Sequence, residues 1–272
     1  MALNISIVGI GGRLGRTIAR EIILDERFEL VGGVIRADSD HVDQDLGEIA
    51  GTQWLGKAAS IRLEDALEGA DAVIDASTPQ ASAAIARRLA DLGGPALLCG
   101  VTGLNQAQTD ALHAASEVLP VLAARNFSIG IALVEMLVST AAAGLPLERW
   151  DAEISETHHR HKVDAPSGTA LVLGEFIARS RGQILDMVAE RGRSGPDQPR
   201  TPGGIGFASL RGGAIVGEHE VRFLSDNEEI SIGHRALDRR VFALGALTAA
   251  QWLVGQKAGL YSMRHVVVGE DA

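Results

Sequence analysis

Short apolar segments alternate with amphipathic ones along the first half of the chain. The apolar segments lie at residues 5–8, 29–35, 72–75, 96–99 and 121–123. One helical pattern follows the first segment, a second follows Pro79, and a third begins at Asn105. Short apolar strands that alternate with helices are typical of a parallel, doubly wound sheet. We therefore predict an α/β domain in this half.

The pattern changes after residue 128. A long apolar helix is predicted at 129–143, an alternating strand at 151–157, consecutive strands without helices between 206 and 235, and an apolar helix at 239–254. Consecutive strands indicate an antiparallel or mixed sheet, and hence a second, α+β domain. We expect the last helix to pack on the first domain, so the predicted domains are 1–127 with 240–272, and 128–239.

Charge and composition exclude several classes of protein. The 272 residues carry 25 Lys and Arg against 35 Asp and Glu, a net charge of −10, so no basic field is available to bind nucleic acid. The single cysteine, Cys99, fits a reducing compartment. No apolar run approaches the roughly 20 residues of a membrane span, and the N-terminus lacks the basic region of a signal peptide. A cytoplasmic protein without a membrane segment is expected.

Glycines at positions 9, 12 and 15 follow the first predicted strand and open a helix. In a Rossmann-type domain this turn lets a dinucleotide diphosphate approach the free N–H groups of the helix N-terminus. The spacing is G-x-x-G-x-x-G, with Leu14 where the usual fingerprint has its last glycine. A turn needed only for tight packing is the alternative.

The end of the second predicted strand bears on cofactor choice. An NAD site usually has an acidic residue there, but this chain has Arg36. A guanidinium binds the 2′-phosphate of NADP, which a carboxylate would repel. The sequence thus favours NADPH over NADH, with Arg13 or Arg16 as further positive charge. Asp38 is the alternative partner, for the ribose hydroxyls.

A dense group of titratable residues follows the alternating strand. Residues 157–162 contain three of the eight histidines and Lys162, one of only three lysines against 22 arginines. Because lysine can give up a proton and arginine cannot, Lys162 suggests proton transfer. The histidines, with Glu156, also suit a zinc site, although Lys162 would repel the ion and no cysteine joins them.

Ser167 is a predicted N-cap that places Gly168 and Thr169 in the first turn of a helix. The backbone N–H groups and the dipole of such a turn favour an anion. Arg160, Lys162 and the histidines add local positive charge despite the net charge of the chain. A bound carboxylate therefore suits this position, and a cap without any ligand is the alternative.

Residues 156–170 read E-T-H-H-R-H-K-V-D-A-P-S-G-T-A and match the E-x-H-H-x-x-K-x-D-A-P-S-G-T-A signature of the dihydrodipicolinate reductases. The chain resembles that family along nearly its full length, with further matching runs at 9–16, 75–79, 100–103, 126–128 and 211–219. The chain departs from the family pattern near the second predicted strand, where Arg36 replaces an acidic residue of many relatives and Ala37 an arginine of some. It also has Ala76 for phenylalanine and Val101 for threonine, in loops expected to touch the cofactor. We expect altered packing there rather than lost cofactor binding.

The resemblance implies the reduction of 4-hydroxy-tetrahydrodipicolinate to tetrahydrodipicolinate by NADPH or NADH, in the diaminopimelate route of lysine biosynthesis. It implies catalytic roles for His158 and Lys162, and binding of the substrate carboxylates by His159, Gly168 and Thr169. The implied cofactor residues are Gly9, Ile10, Gly11, Gly12, Arg13, Leu14, Gly100, Val101, Thr102, Ala124, Arg125, Asn126 and Phe127, to which the argument above adds Arg36. No metal is expected, and the assembly implied is a homotetramer built largely on the second domain.

Three other functions remain open on the sequence. The first is a different oxidoreductase of the same two-domain plan, acting on an amino acid or a semialdehyde. The second is a nucleotide-sensing module that has lost its chemistry, which we would expect to lack His158 or Lys162. The third is the zinc hydrolase.

Overall fold

The computed structural model describes residues 1–269. In chain order, the elements of the first half are β1 (Leu3–Val8), α1 (Arg13–Leu24), β2 (Phe28–Val34), α2 (Leu46–Ala50), α3 (Leu63–Ala66), β3 (Ala72–Asp75), α4 (Pro79–Leu92), β4 (Ala96–Cys99), α5 (Gln106–Ser116) and β5 (Pro120–Ala123). They are followed by α6 (Ile129–Gly144), β6 (Asp151–His158), α7 (Gly168–Ser180), α8 (Leu185–Val188), β7 (Ala189–Glu190), β8 (Ile205–Arg211), β9 (Gly217–Leu224), β10 (Glu229–Ala236), α9 (Arg240–Leu253), β11 (Gly259–Tyr261) and α10 (Met263–Val268).

Six parallel strands form the first sheet, in the order β11-β5-β4-β3-β1-β2. The chain leaves β1 toward β2 on one side and returns to β3 on the other, so the order reverses between β1 and β3. In open α/β sheets, such a reversal leaves a crevice at the carboxyl ends of the strands, where ligands bind. The Rossmann-type prediction is confirmed, and the sheet gains a strand that the sequence did not reveal, β11.

The second sheet has five strands in the order β10-β9-β6-β8-β7. Strand β6 lies at its centre and pairs parallel with β8 and antiparallel with β9. The sheet is therefore mixed, as predicted. Every second residue of β6 is buried, which places Ala152, Ile154, Glu156 and His158 on one face.

The chain divides into two compact units, residues 1–129 with the chain from Arg240 onward, and residues 130–239. Helix α9 belongs to the first unit, where it packs on α1 and on strands β3, β4 and β5. Arg240 at its start forms an ion pair of 2.8 Å with Glu21 of α1. Each unit has its own apolar core. None of the helices described within residues 1–269 is long and apolar enough to cross a membrane.

One glycine permits the close packing of α9. A Cβ atom added at Gly245 would overlap the carbonyl oxygen of Phe127. We expect Gly245→Ala to lower the free energy of unfolding by about 1–3 kcal/mol, since backbone atoms must move to relieve the overlap. Gly255→Ala is the control, because its nearest atom, the Trp252 oxygen, would lie 3.6 Å from the new Cβ. Urea unfolding of both variants measures the difference, and equal stabilities would contradict this account.

Candidate active site

The turn after β1 is shaped by glycines. Gly9 has φ +83°, and a Cβ atom there would lie 2.7 Å from the carbonyl oxygen of Ala76. A Cβ at Gly15 would overlap the Gly9 carbonyl oxygen. Helix α1 begins after Gly12, which offers no side chain to cap it. The turn thus brings bare backbone to the start of α1, at the crevice between β1 and β3.

A cleft of about 540 Å³ opens at this turn. It is lined by Val8, Gly9, Gly11, Gly12, Val34, Ile35, Arg36, Ala37, Ser39, Ile61, Ala76, Ser77, Thr78 and Ala81. Two phosphates and a ribose fit such a surface, because the start of α1 presents backbone N–H groups that no side chain caps. The residues present therefore fit a dinucleotide, and the cleft collects four of the predicted cofactor residues.

Arg36 stands two residues beyond the end of β2, with 77% of its side chain exposed. Its guanidinium lies 3.4 Å from Asp38, a long ion pair between exposed groups that costs little to break. Arg36 is therefore accessible to a phosphate. Arg16, which the sequence named as further positive charge, donates to Gly11 O and to His41, a residue that the sequence did not single out.

The remaining predicted cofactor residues take different positions in the first unit. Arg13 and Leu14 are in the first turn of α1, and Ile10 is fully buried. Residues 100–102 and 124–127 follow β4 and β5, at the same end of the parallel sheet as the glycine turn. Gly100 lies against Phe127, since a Cβ there would overlap the ring.

Asp75, at the end of β3, is a buried polar residue that had no assigned role. Its Oδ1 accepts from the backbone N–H and the hydroxyl of Ser77, at 3.0 and 2.5 Å, while its Oδ2 has no hydrogen-bond partner among residues 1–269. Burial raises the pKa of the Asp75 carboxyl. The sequence pattern that could have revealed Asp75 is an acidic residue at the end of an apolar strand.

In the second unit, the end of β6 carries the histidine predicted to be catalytic. His158 is 8% exposed, and its Nδ1 lies 2.5 Å from the Glu156 carboxylate, two residues back on the same strand face. Burial lowers the pKa of His158, and Glu156 opposes that shift. Among the residues that the structure describes, no other side chain forms a hydrogen bond to the second ring nitrogen, Nε2.

Lys162, four residues on, is held by a residue that sequence reasoning missed. Its Nζ donates to both carboxylate oxygens of Asp164 at 2.8 Å. The hydrogen bond from Lys162 lowers the pKa of Asp164, so this carboxylate stays ionised beside the lysine. The positive charge of Lys162 in turn disfavours a proton on His158. The two groups predicted to handle protons are thus electrostatically coupled.

The predicted anion site has the expected helix start. Ser167 caps α7, with its hydroxyl accepting from the backbone N–H of Ala170 at 3.1 Å, and Gly168 and Thr169 form the first turn. A Cβ at Gly168 would meet nothing within 4 Å, so space is open beside the turn. His159 is only partly buried, and its ring lies 6.3 Å from that of His161.

His219 on β9 is buried together with Glu156, His158 and Ser167. Its Nε2 lies 2.9 Å from the Ser167 hydroxyl, and its ring meets the His158 ring edge to face at 5.0 Å. Burial, together with the charge of His158, lowers the pKa of His219 to about 4. Within residues 1–269, no group of three or more His, Cys, Asp or Glu side chains is arranged to hold a metal ion.

The neutral His219 generates a prediction about stability. Below its unfolded pKa of 6.5, the unfolded chain takes up a proton that the folded chain refuses until about pH 4. His219 should therefore cost about 3 kcal/mol of stability as the pH falls across this range. We expect His219→Gln to lose less stability than the wild type between pH 7 and 4, whereas His161→Gln, at an exposed position, should follow the wild type. Urea unfolding against pH measures both, and parallel curves for all three proteins would refute the assignment.

Family models match both units. The model described as dihydrodipicolinate reductase, N-terminus, matches residues 3–127, and the model described as dihydrodipicolinate reductase, C-terminus, matches residues 130–267. A solved structure of dipicolinate-bound dihydrodipicolinate reductase from Paenisporosarcina sp. TG-14 shares the fold, with a TM-score of 0.77 and 24% identity over 96% of this chain and 98% of that chain.

Relatives of known name match over nearly their whole length. The 4-hydroxy-tetrahydrodipicolinate reductase of Caulobacter vibrioides is 41% identical, over 97% of this chain and 97% of the relative. The enzyme of the same name from Halorhodospira halophila is 42% identical, over 98% of this chain and 99% of the relative. With both family models matched in order, the chain belongs to the dihydrodipicolinate reductase family.

Proposed function

We propose that this protein catalyses the NAD(P)H-dependent reduction of 4-hydroxy-tetrahydrodipicolinate to tetrahydrodipicolinate, in the diaminopimelate route of lysine biosynthesis. The observation that carries the proposal is the folded arrangement of residues 156–170. One short segment supplies a buried histidine, a lysine held by a carboxylate, and an open helix start. The reductases that match along the whole chain bear the name of this reaction.

The start of α7 binds the substrate in this proposal. Gly168 and Thr169 present first-turn N–H groups to a carboxylate, and the positive end of the helix dipole favours its charge. His159, partly exposed on the loop after β6, binds a carboxylate as well. A small ring with two carboxylates needs such paired sites to be oriented for reaction.

His158 and Lys162 handle the protons. Loss of the 4-hydroxyl group as water leaves a conjugated imine in the substrate ring. Addition of a hydride to this imine sends electrons toward nitrogen, and a nearby acid lowers the barrier by neutralising that charge. Lys162 is suited to donate, because Asp164 holds its ammonium group in place. His158 exchanges a proton at Nε2, since its Nδ1 is engaged by Glu156.

The glycine turn and the cleft beside it hold the pyridine nucleotide, whose nicotinamide supplies the hydride when bound. Gly9, Gly11 and Gly12 bring backbone to the phosphates, and residues 100–102 and 124–127 offer contacts from the ends of β4 and β5. We propose NADPH as the preferred form, because Arg36 lines the cleft and is exposed enough to bind a 2′-phosphate.

The partners follow from the same proposal. The ligand of the second unit is a small dicarboxylate, and residues 128–239, which hold the mixed sheet, supply the substrate site and much of the interface of a homotetramer. The homotetramer and the cytoplasmic location stay predictions. Gel filtration with light scattering measures the assembly.

The direct test is an assay in which the substrate is generated in place from pyruvate and aspartate semialdehyde by a synthase. We expect NADPH to be oxidised, which the loss of its absorbance measures. This oxidation should depend on the synthase and on both precursors. Folded protein that binds NADPH but never oxidises it under these conditions would refute the proposed reaction and favour a nucleotide sensor.

Replacing Arg36 tests the cofactor preference. We expect Arg36→Glu to raise the ratio of NADH to NADPH efficiency by about tenfold or more, because a charge-assisted hydrogen bond of about 1.5–3 kcal/mol is replaced by repulsion. Arg88→Glu is the matched control, since Arg88 is exposed in the same unit and does not line the cleft. The measurement is kcat/KM with each cofactor, and an unchanged ratio in Arg36→Glu would remove this residue from the site.

Replacing the two proton-handling residues separates chemistry from cofactor binding. We expect His158→Ala and Lys162→Ala each to lower kcat about 10²-fold or more, since general acid catalysis contributes about 10²–10⁴-fold. NADPH affinity, measured by fluorescence titration, should stay near the wild-type value, because both residues lie outside the unit that contains the glycine turn. Equal losses of NADPH affinity in both variants would contradict this division.

A further inference from the structure

The buried carboxylate of Glu156 contacts both halves of the proposed substrate site. Its Oε2 lies 2.5 Å from Nδ1 of His158, and its Oε1 accepts the backbone N–H of Ser167 at 3.1 Å. One side chain, itself 1% exposed, therefore touches the proton-exchanging imidazole and the residue that begins the carboxylate-binding helix. Neither Glu156 nor its partner Arg211 has a role in the reaction as described so far.

An arginine from the neighbouring strand fixes this carboxylate. Arg211 ends β8 directly opposite His158, and its two terminal nitrogens donate to the two oxygens of Glu156 at 2.7 Å each. The same guanidinium donates to the backbone oxygen of Asp164 at 2.6 Å, in the loop that carries Lys162. A two-pronged pair of this kind sets the plane of the carboxylate as well as its distance.

The Glu156 carboxylate is ionised across the range of pH in which enzymes work. Burial by itself would raise the pKa of Glu156, but the hydrogen bonds from Arg211, Ser209 and His158 outweigh it and lower the pKa to about 2. A carboxylate only accepts hydrogen bonds. Nδ1 of His158 must therefore carry the hydrogen of this contact, and the neutral ring has its lone pair on Nε2.

The other side of the ring is kept open. A Cβ atom at Gly217 would lie 3.0 Å from Nε2 of His158, tighter than ordinary contacts. Any side chain at this position would thus crowd the nitrogen left for proton exchange. The arrangement closes one ring nitrogen with a carboxylate and leaves space at the other.

Building on the reductase activity proposed above, we propose that Glu156, clamped by Arg211, is the positioning residue of this site. It holds His158 in the Nδ1–H form, so that Nε2 exchanges the proton with the substrate. It also holds the Ser167 amide, so that Gly168 and Thr169 begin the helix in the place where they bind a carboxylate. Substrate orientation and proton transfer then depend on a single buried charge.

Glu156→Gln tests the proposal, because the amide keeps the shape but presents an N–H₂ group to donors. We expect kcat to fall about 10²-fold, within the range of general acid–base catalysis, and the substrate KM to rise, while the NADPH Kd stays unchanged. Glu153→Gln is the matched control, since Glu153 lies on the same strand and pairs with Arg193 and Arg200. Its kinetics should match the wild type.

A change in the pH profile distinguishes positioning from general damage. Five groups act on His158: Glu156 on its own strand, His159 and Lys162 in the following loop, Arg211 on β8 and His219 on β9. Of these, Glu156 alone favours the protonated ring. Its neutralisation in Glu156→Gln should therefore move the limb of the pH–kcat profile that reports His158 to lower pH. The limb of Glu153→Gln should not move.

A second variant tests the proposal if Glu156→Gln does not fold. Arg211→Lys keeps a positive charge beside Glu156 but cannot bind both carboxylate oxygens, so we expect a smaller loss of kcat, about tenfold, as for one hydrogen bond to a charged group. Wild-type kcat in folded Glu156→Gln, or in Arg211→Lys if the first variant does not fold, would overturn the proposal.

The tautomer of His158 gives a readout that needs no turnover. Nitrogen-15 NMR of the histidine rings should show His158 with its hydrogen on Nδ1 in the wild type and in Glu153→Gln, and a population with the hydrogen on Nε2 in Glu156→Gln. An unchanged tautomer in Glu156→Gln would overturn the positioning role. Because this measurement uses free protein, it stands even if the reductase assay fails, so the two proposals fail separately.

Discussion

The ion pair between Glu156 and Arg211 is the interaction on which the second unit's site depends. Removing a carboxylate from water is costly unless donors replace the water, and here a guanidinium, an imidazole N–H and a backbone N–H do so. These donors come from β8, from the end of β6 and from the start of α7. The one charge therefore contacts the ends of β6 and β8 and the start of α7 together.

The position of that charge follows from the sheet. Glu156 and His158 share a face because side chains alternate along β6, and Arg211 and His219 reach them because β8 and β9 pair with β6 on either side. The parallel pairing of β6 with β8 matters most, since it brings the ends of both strands to the same edge. An antiparallel partner would have placed its start there instead.

The cleft of the first unit is built differently from the site of the second unit. The glycine turn brings bare backbone to the edge of the cleft, since Gly9 and Gly15 leave no room for side chains where β1 meets α1. Among the residues that line this cleft, Arg36 is the one with a charged side chain. A diphosphate is recognised by N–H groups whatever nucleotide carries it, and in the proposal of NADPH the choice between nucleotides rests on one exposed side chain.

The sequence by itself determined what depends on local pattern. Apolar alternation and period predicted both sheets, and the signature at 156–170 indicated the family, because these features depend on residues that are neighbours in the chain. Only the tertiary structure decided which distant groups meet. Arg211 on Glu156, His219 on Ser167 and β11 beside β5 are contacts between residues far apart in the chain. No local pattern encodes such contacts, since strand pairing and burial in the folded chain fix them.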